Sequence, residues 1–212
     1  MSDDNLNKSN SLIKVKSKYI LEQIFDNLKE NKKLDIIRYN KKIQINLNKN
    51  IKDYIKIYSK IEIEIIPIEN QIGKFININK NKFSYCHIYF NGNDEEEKRN
   101  FIKENEKVEK IKIIIDYNIK SLKGLFQNCK NIKRIKFNKF NRKDIKNMSN
   151  MFCECSSLEE LNLSNFNTNN VIDMRCMFYK CSSLKELNLS NFNTSKINDM
   201  GMMFYNCSSF KQ

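Results

Sequence analysis

MSNMFCECSSLEELNLSNFNTNNVID (148–173), MRCMFYKCSSLKELNLSNFNTSKIND (174–199) and MGMMFYNCSSF (200–210) are successive copies of one 26-residue string. Met151, Met177 and Met203 align, as do Phe152, Phe178 and Phe204, and Cys155, Cys181 and Cys207. A fixed period of this length marks a stacked repeat array, in which no unit buries its apolar face without a neighbour. Within each unit, Leu158-x-x-Leu161-x-Leu163 and Leu184-x-x-Leu187-x-Leu189 alternate as a short strand, with Glu160, Asn162 and Ser164 on the opposite side from Leu161 and Leu163. Val171, Met174, Met177, Phe178 and Cys181 follow at helical spacing, after turn-forming and capping chemistry at 167–170. The expectation is one strand and one short helix per unit.

The motif MF-x-x-CSSL-x-x-L-x-LSNFNT-x-x-V/I-x-DM resembles the BspA-like leucine-rich repeat, closely over 148–212 and more weakly back to about 108. That resemblance implies a leucine-rich-repeat fold, a role in protein binding or adhesion, and no enzyme. Phe166 and Phe192 stand where conventional leucine-rich repeats carry Asn, so an aromatic spine is expected in place of the Asn ladder. Two degenerate copies precede the clear ones. Phe126, Cys129, Ile132, Ile135, Phe137, Phe140, Ile145 and Met148 keep the apolar positions one period earlier. Val108, Ile111 and Ile113, then Ile119, Leu122 and Leu125, make a first repeat over 107–131. No polar capping unit follows Phe210. Either the chain is a short member or fragment of a longer array, or its apolar end packs on another copy.

Residues 17–58 read as helical. Ile20, Leu21, Ile24, Phe25 and Leu28 form an amphipathic helix, and Leu34, Ile36, Ile37, Ile43 and Leu47 suggest two more. The same string resembles an F-box, through Ile20, Leu21, Ile24, Phe25, Leu28, Leu34 and Asn40-Lys41, although the usual Leu-Pro opening and Trp are missing. That resemblance implies a Skp-type adaptor as partner. Residues 59–106 read as a β-rich cap: Ile61-Glu-Ile-Glu-Ile-Ile-Pro alternates, Phe75–Asn79 and Tyr85–Phe90 read as further strands, and Asp94–Glu97 reads as a helix start. Residues 1–16 are polar and expected to be disordered. The expected fold is thus α/β, a leucine-rich-repeat solenoid of about four 24–26-residue repeats (107–212) behind a small helical and β-rich N-terminal domain.

The net charge of +13 is unevenly placed: residues 107–147 carry 13 Lys and Arg against 3 Asp and Glu. On the strand face, Lys110, Lys112, Arg134 and Lys136 precede Glu160, Asn162, Glu186 and Asn188, a face running from basic to acidic. These eight residues are the candidate partner-binding face. A solvated face of a Lys-rich chain explains the same pattern. Nucleic acid receives little support, since no recognised motif is present and aromatics do not interleave with these charges.

Seven cysteines with no secretory leader argue against a disulfide framework. Four of them (Cys129, Cys155, Cys181 and Cys207) recur every 26 residues and are expected as a core ladder. Cys153-x-Cys155 is too tight for a zinc finger and the sole histidine, His87, is distant, so no metal is expected. Cys86 beside His87 is no nucleophile–base pair, because neighbouring strand residues face opposite ways. No cofactor motif and no catalytic residue emerges. With no stretch of about 18 apolar residues, a cytoplasmic, non-enzymatic interaction module binding a protein partner is expected. The alternatives are an F-box-like ubiquitin-ligase adaptor and a cell-surface adhesin.

Overall fold

The chain forms two units, which divide between Ser59 and Lys60, and the helices described below lie in the first. The computed structural model describes residues 12, 15–140 and 142–210. The tail expected at 1–16 therefore lies outside the described residues, apart from Leu12, Val15 and Lys16. Helix α1 (Lys18–Asp26) starts at Ser17, whose Oγ accepts from the Ile20 N–H at 3.4 Å. Helix α2 (Glu30–Tyr39) stops at Asn40, which turns extended and caps α3 (Lys41–Asn46) by accepting from the Ile43 N–H at 3.1 Å. Asn50 caps α4 (Ile51–Tyr58) in the same way, accepting from the Lys52 N–H at 2.8 Å. Leu12, Leu21, Phe25, Ile37, Ile43 and Leu47 form the core. Helices α1 to α3 thus occupy the stretches with helical apolar spacing.

The second unit is built on a five-stranded sheet of order β3-β5-β1-β6-β7. Its strands are β1 (Ile61–Pro67), β3 (Cys86–Phe90), β5 (Ile111–Ile115), β6 (Ile132–Phe140) and β7 (Glu160–Asn162); a separate pair joins β2 (Gly73–Lys74) to β4 (Phe101–Ile102). All neighbours in the larger sheet are antiparallel except β6 and β7. Alternation buries Ile61, Ile63 and Ile65 on one side of β1 and leaves Glu62 and Glu64 on the other.

This sheet corrects the expected leucine-rich-repeat solenoid. The strands of the first two copies, β5 and β6, are not neighbours, because β1 lies between them and pairs antiparallel with both. The segment 59–106 therefore contributes a central strand, and its Asn77 also lies against the first repeat, donating to the Leu125 carbonyl at 2.7 Å and, through its side-chain amide, to the Gly124 carbonyl at 3.1 Å. Residues 184–190 form no strand, and no sheet curls into a solenoid. The helix start expected at Asp94–Glu97 is absent too. Those acids serve neighbouring cations instead: Glu97 and Glu106 both grip Arg99, and Glu96 meets Lys98 and His87.

The repeats carry turns where helices were expected. Positions 124 and 128, and their equivalents 150 and 154, 176 and 180, 202 and 206, all have φ between 54° and 62°. A left-handed residue at every fourth position breaks an α-helix. The backbone N–H groups then divide by alternation. Those of Leu125, Gln127 and Cys129 close local turns onto Leu122, Gly124 and Phe126 at 3.0–3.1 Å. Those of Leu122, Gly124, Phe126 and Asn128 reach the next copy, at the carbonyls of Asn147, Ser149, Met151 and Cys153, over 2.8–3.1 Å. The same bonds recur from 148–154 to 173–179, and from 174–180 to 199–205. Every N–H in this row thus finds an acceptor, as burial demands.

Side chains follow the same stacking. Phe126, Phe152, Phe178 and Phe204 lie nearly parallel, with ring centroids 5.4–5.6 Å apart. The Cys155 thiol donates to the Phe126 carbonyl at 3.0 Å, Cys181 to Phe152 at 3.1 Å and Cys207 to Phe178 at 2.9 Å. Burial pushes the Cys129 thiol up to about 12 and Cys155 well above its ordinary value. A second aromatic stack runs Phe140, Phe166, Phe192. It accompanies an Asn ladder and does not replace it: Asn165 donates to the Phe137 carbonyl, and Asn191 to those of Leu163 and Phe166, at 2.9–3.0 Å.

Arg142 is buried at the start of the stack. Its guanidinium bonds the carbonyls of Asp116, Tyr117 and Ile119 and both carboxylate oxygens of Asp144, at 2.6–3.3 Å. Burial raises the Asp144 pKa, but hydrogen bonds from Arg142 and Lys120 outweigh it and hold the carboxyl down at about 2. A carboxylate depressed in the folded state stabilises above its unfolded pKa, near 3.8, and loses that contribution as pH falls through the folded value. Urea midpoints should therefore fall between about pH 4 and pH 2, and Asp144→Asn should show a shallower fall over that interval.

Candidate binding groove

The outer face of the sheet is where the eight candidate residues fall, and β1 divides them. Glu64 sits opposite Lys112 on one side and Lys136 on the other, and its carboxylate lies 2.7 Å from the Lys110 ammonium. Glu62 lies 3.9 Å from Lys139. The expected gradient from basic to acidic is thus interrupted by two carboxylates of β1, with Glu64 paired to the Lys110 ammonium and flanked in register by Lys112 and Lys136.

Beyond β1, an open groove of about 1150 Å³ lies across β6, β7 and the segment 185–189. Arg134, Lys136, Glu160, Asn162, Glu186 and Asn188 all line it, joined by Glu64, Ser164 and Lys185. Lys110 and Lys112 do not, because the intervening strand sets them on its far side. The parallel pairing of β6 and β7 puts Arg134 beside Glu160 and Lys136 beside Asn162. Arg134 Nε is 3.0 Å from Glu160 Oε1, and both side chains are at least half exposed. An ion pair in such a setting is worth only about 0–1 kcal/mol, so a ligand can replace it at little cost. The floor is apolar: Leu161 is buried, while Leu187 and Leu189 are half-buried.

Glu64, Ser164 and Lys185 were not among the candidates. The alternation of β1 puts Glu64 on an exposed face, but nothing local to 61–67 names the strands beside it. Ser164 and Lys185 extend the rows of Asn162 and Glu186 and were within reach of the same alternation.

Elsewhere, Cys86 and His87 face opposite ways. Cys86 is buried, and burial, then Glu96 and Asp116, push its thiol up to about 12. The His87 ring meets carboxylates on both sides, with Nδ1 3.0 Å from Glu96 and Nε2 3.1 Å from Asp116. Among the described residues, no cluster of His, Cys, Asp and Glu is arranged to hold a metal, and no helix is long and apolar enough to cross a membrane.

No curated protein and no solved structure matches the chain. One family, described as a Mycoplasma protein of unknown function, DUF285, matches residues 120–212. The stretch that lines most of the groove, from Arg134 to Leu189, lies within the part of the chain that is similar to that family.

Proposed function

We propose that the chain is a non-enzymatic interaction module that holds a protein partner in the groove across β6, β7 and 185–189. The observation that carries this reading is the groove's construction. A half-exposed leucine floor lies beneath closely spaced Arg134, Lys136, Glu160, Asn162, Glu186 and Asn188, in a volume open to a macromolecular ligand. Apolar floor and polar rim are the usual anatomy of a protein interface. The repeat string's resemblance to BspA-like repeats, which implies protein binding, supports the same reading. The triple variant Lys136→Glu, Asn162→Arg and Asn188→Arg should lose a partner captured from native lysate. Lys110→Glu with Lys112→Glu, outside the groove, should retain it. Equal capture by both variants would remove the groove from consideration.

A second reading rests on the first unit. Helix α1 exposes Tyr19, Ile20 and Ile24, and Tyr39 and Ile45 are exposed on α2 and α3. Exposed apolar side chains in such number suit a docking surface. The resemblance of this segment to an F-box supports a Skp-type adaptor as the ligand. Titration of a purified Skp-type adaptor against the full chain, with Ile20→Asp and Ile24→Asp as controls, decides this reading.

A further inference from the structure

One row of side chains in the groove turns hydrogen-bond donors outward. Lys136 on β6 stands in register with Asn162 on β7. Asn188 repeats Asn162 one period on and lines the same groove. The Ser164 N–H donates to Asn162 Oδ1 at 3.0 Å, and the Ser190 N–H to Asn188 Oδ1 at 2.9 Å. A backbone N–H can only donate, so it fixes which end of each amide is the oxygen. Both oxygens are turned to the backbone, and both amide nitrogens are left to the groove, with no acceptor among the described residues. No ion pair engages Lys136 among those residues either. Glu64, its neighbour in register on β1, lies 2.7 Å from the Lys110 ammonium. An ammonium and two amide groups in one row make a site for an anionic acceptor.

The neighbouring row limits what that anion is. Arg134, Glu160 and Glu186 line the groove two residues before Lys136, Asn162 and Asn188, and Arg134 is already paired with Glu160 at 3.0 Å. Glu186 has no cation partner among the described residues. A continuous polyanion such as a nucleic acid would set further negative charge against Glu160 and Glu186. An extended peptide can satisfy both rows, because side chains on one face of it recur at about 6.7 Å, the spacing of residues two apart in a strand. The donor row lies on the face of the sheet, and a further repeat beside 185–189 would lengthen it without covering it.

We propose that Lys136, Asn162 and Asn188 bind the carboxylate of an Asp or Glu side chain in an extended segment of the protein partner, with a Lys or Arg two residues away facing Glu186. This rests on the groove being the binding site and adds the chemistry of its ligand.

An end-blocked peptide, Thr-Glu-Thr-Lys-Thr, titrated into the isotope-labelled full chain tests this by nuclear magnetic resonance. The side-chain amide signals of Asn162 and Asn188 should shift saturably, and a peptide with Gln in place of Glu should bind roughly tenfold more weakly or worse. Asn162→Asp with Asn188→Asp keeps the oxygens that cap Ser164 and Ser190 but removes the donors, so it should weaken the Glu peptide at least as much, with an unchanged circular dichroism spectrum. Lys143→Gln with Lys146→Gln lowers the net charge equally at exposed positions outside the groove, and should change binding less than about twofold. No shift, equal binding of the Gln peptide, or equal weakening by the charge-matched variant would overturn the proposal. Should any of these occur while the groove's triple variant still loses its captured partner, the groove reading stands and the acidic ligand alone is overturned.

Discussion

Arg142→Met is expected to lower stability by about 3–5 kcal/mol, the cost of removing one side of a buried charged network. For a unit of this size that is a drop of roughly 6–20 °C in Tm. The physical reason is the number of groups left behind. Methionine fills much of the volume but donates nothing, so the carbonyls of Asp116, Tyr117 and Ile119 lose their donor while still enclosed. Asp144 keeps only the Lys120 ammonium at 2.8 Å. Arg142→Lys should recover only part of the loss. One ammonium cannot reproduce a planar fork that reaches three carbonyls and two carboxylate oxygens at once. Thermal melts of the three proteins, with a cycle through Asp144→Asn, separate the carbonyl contacts from the ion pair. A melt of Arg142→Met within 2 °C of the parent would contradict this account.

Phe152→Ala should cost a similar amount, about 3–5 kcal/mol. Its ring is buried between Phe126 and Phe178, each at 5.6 Å, and meets Phe137 edge-on at 6.3 Å. The cavity would sit between rows whose backbones are tied by hydrogen bonds, so neighbouring rings have little freedom to collapse into it. The loss should also be uneven along the chain. In a stack, each row contacts mainly its neighbours, so a break at row two uncouples the rows beyond it. Amide exchange should therefore quicken over 174–210 more than over 111–140. Phe204→Ala, at the open face with a ring already partly in water, should cost far less. Uniform acceleration across the second unit would mean that the rows do not act as separable layers.

The period and its rows were readable from sequence because identical residues recur at 26 and stack on themselves. Phe152 on Phe178 and Cys181 on the row of Phe152 needed no knowledge of distant segments. The helices of the first unit were readable for a related reason: Leu21 with Phe25 is local, and Ser17, Asn40 and Asn50 mark the starts. Two features escaped. Helical spacing at Met174, Met177, Phe178 and Cys181 is shared by a chain of turns, and the left-handed residues that decide between them include Glu154, Cys176, Lys180 and Met202, none of which announces that conformation. Insertion of β1 between β5 and β6 depends on pairing across more than forty residues, which alternation alone does not specify. The leucine-rich-repeat expectation failed at these two points. The groove inherited the second error: six of its candidate residues lie together, while Lys110 and Lys112 are separated from them by Glu64.

The alternation of backbone donors along 122–128 and its copies has an evolutionary corollary. Odd and even residues of that stretch have different duties, one closing turns and the other joining rows. Gaining or losing one residue there exchanges the duties and disconnects the row on one side. Gaining or losing 26 at once leaves every duty unchanged. Length variation in such an array is therefore expected in steps of whole 26-residue rows, and a gain or loss of one residue within a row is expected to be destabilising.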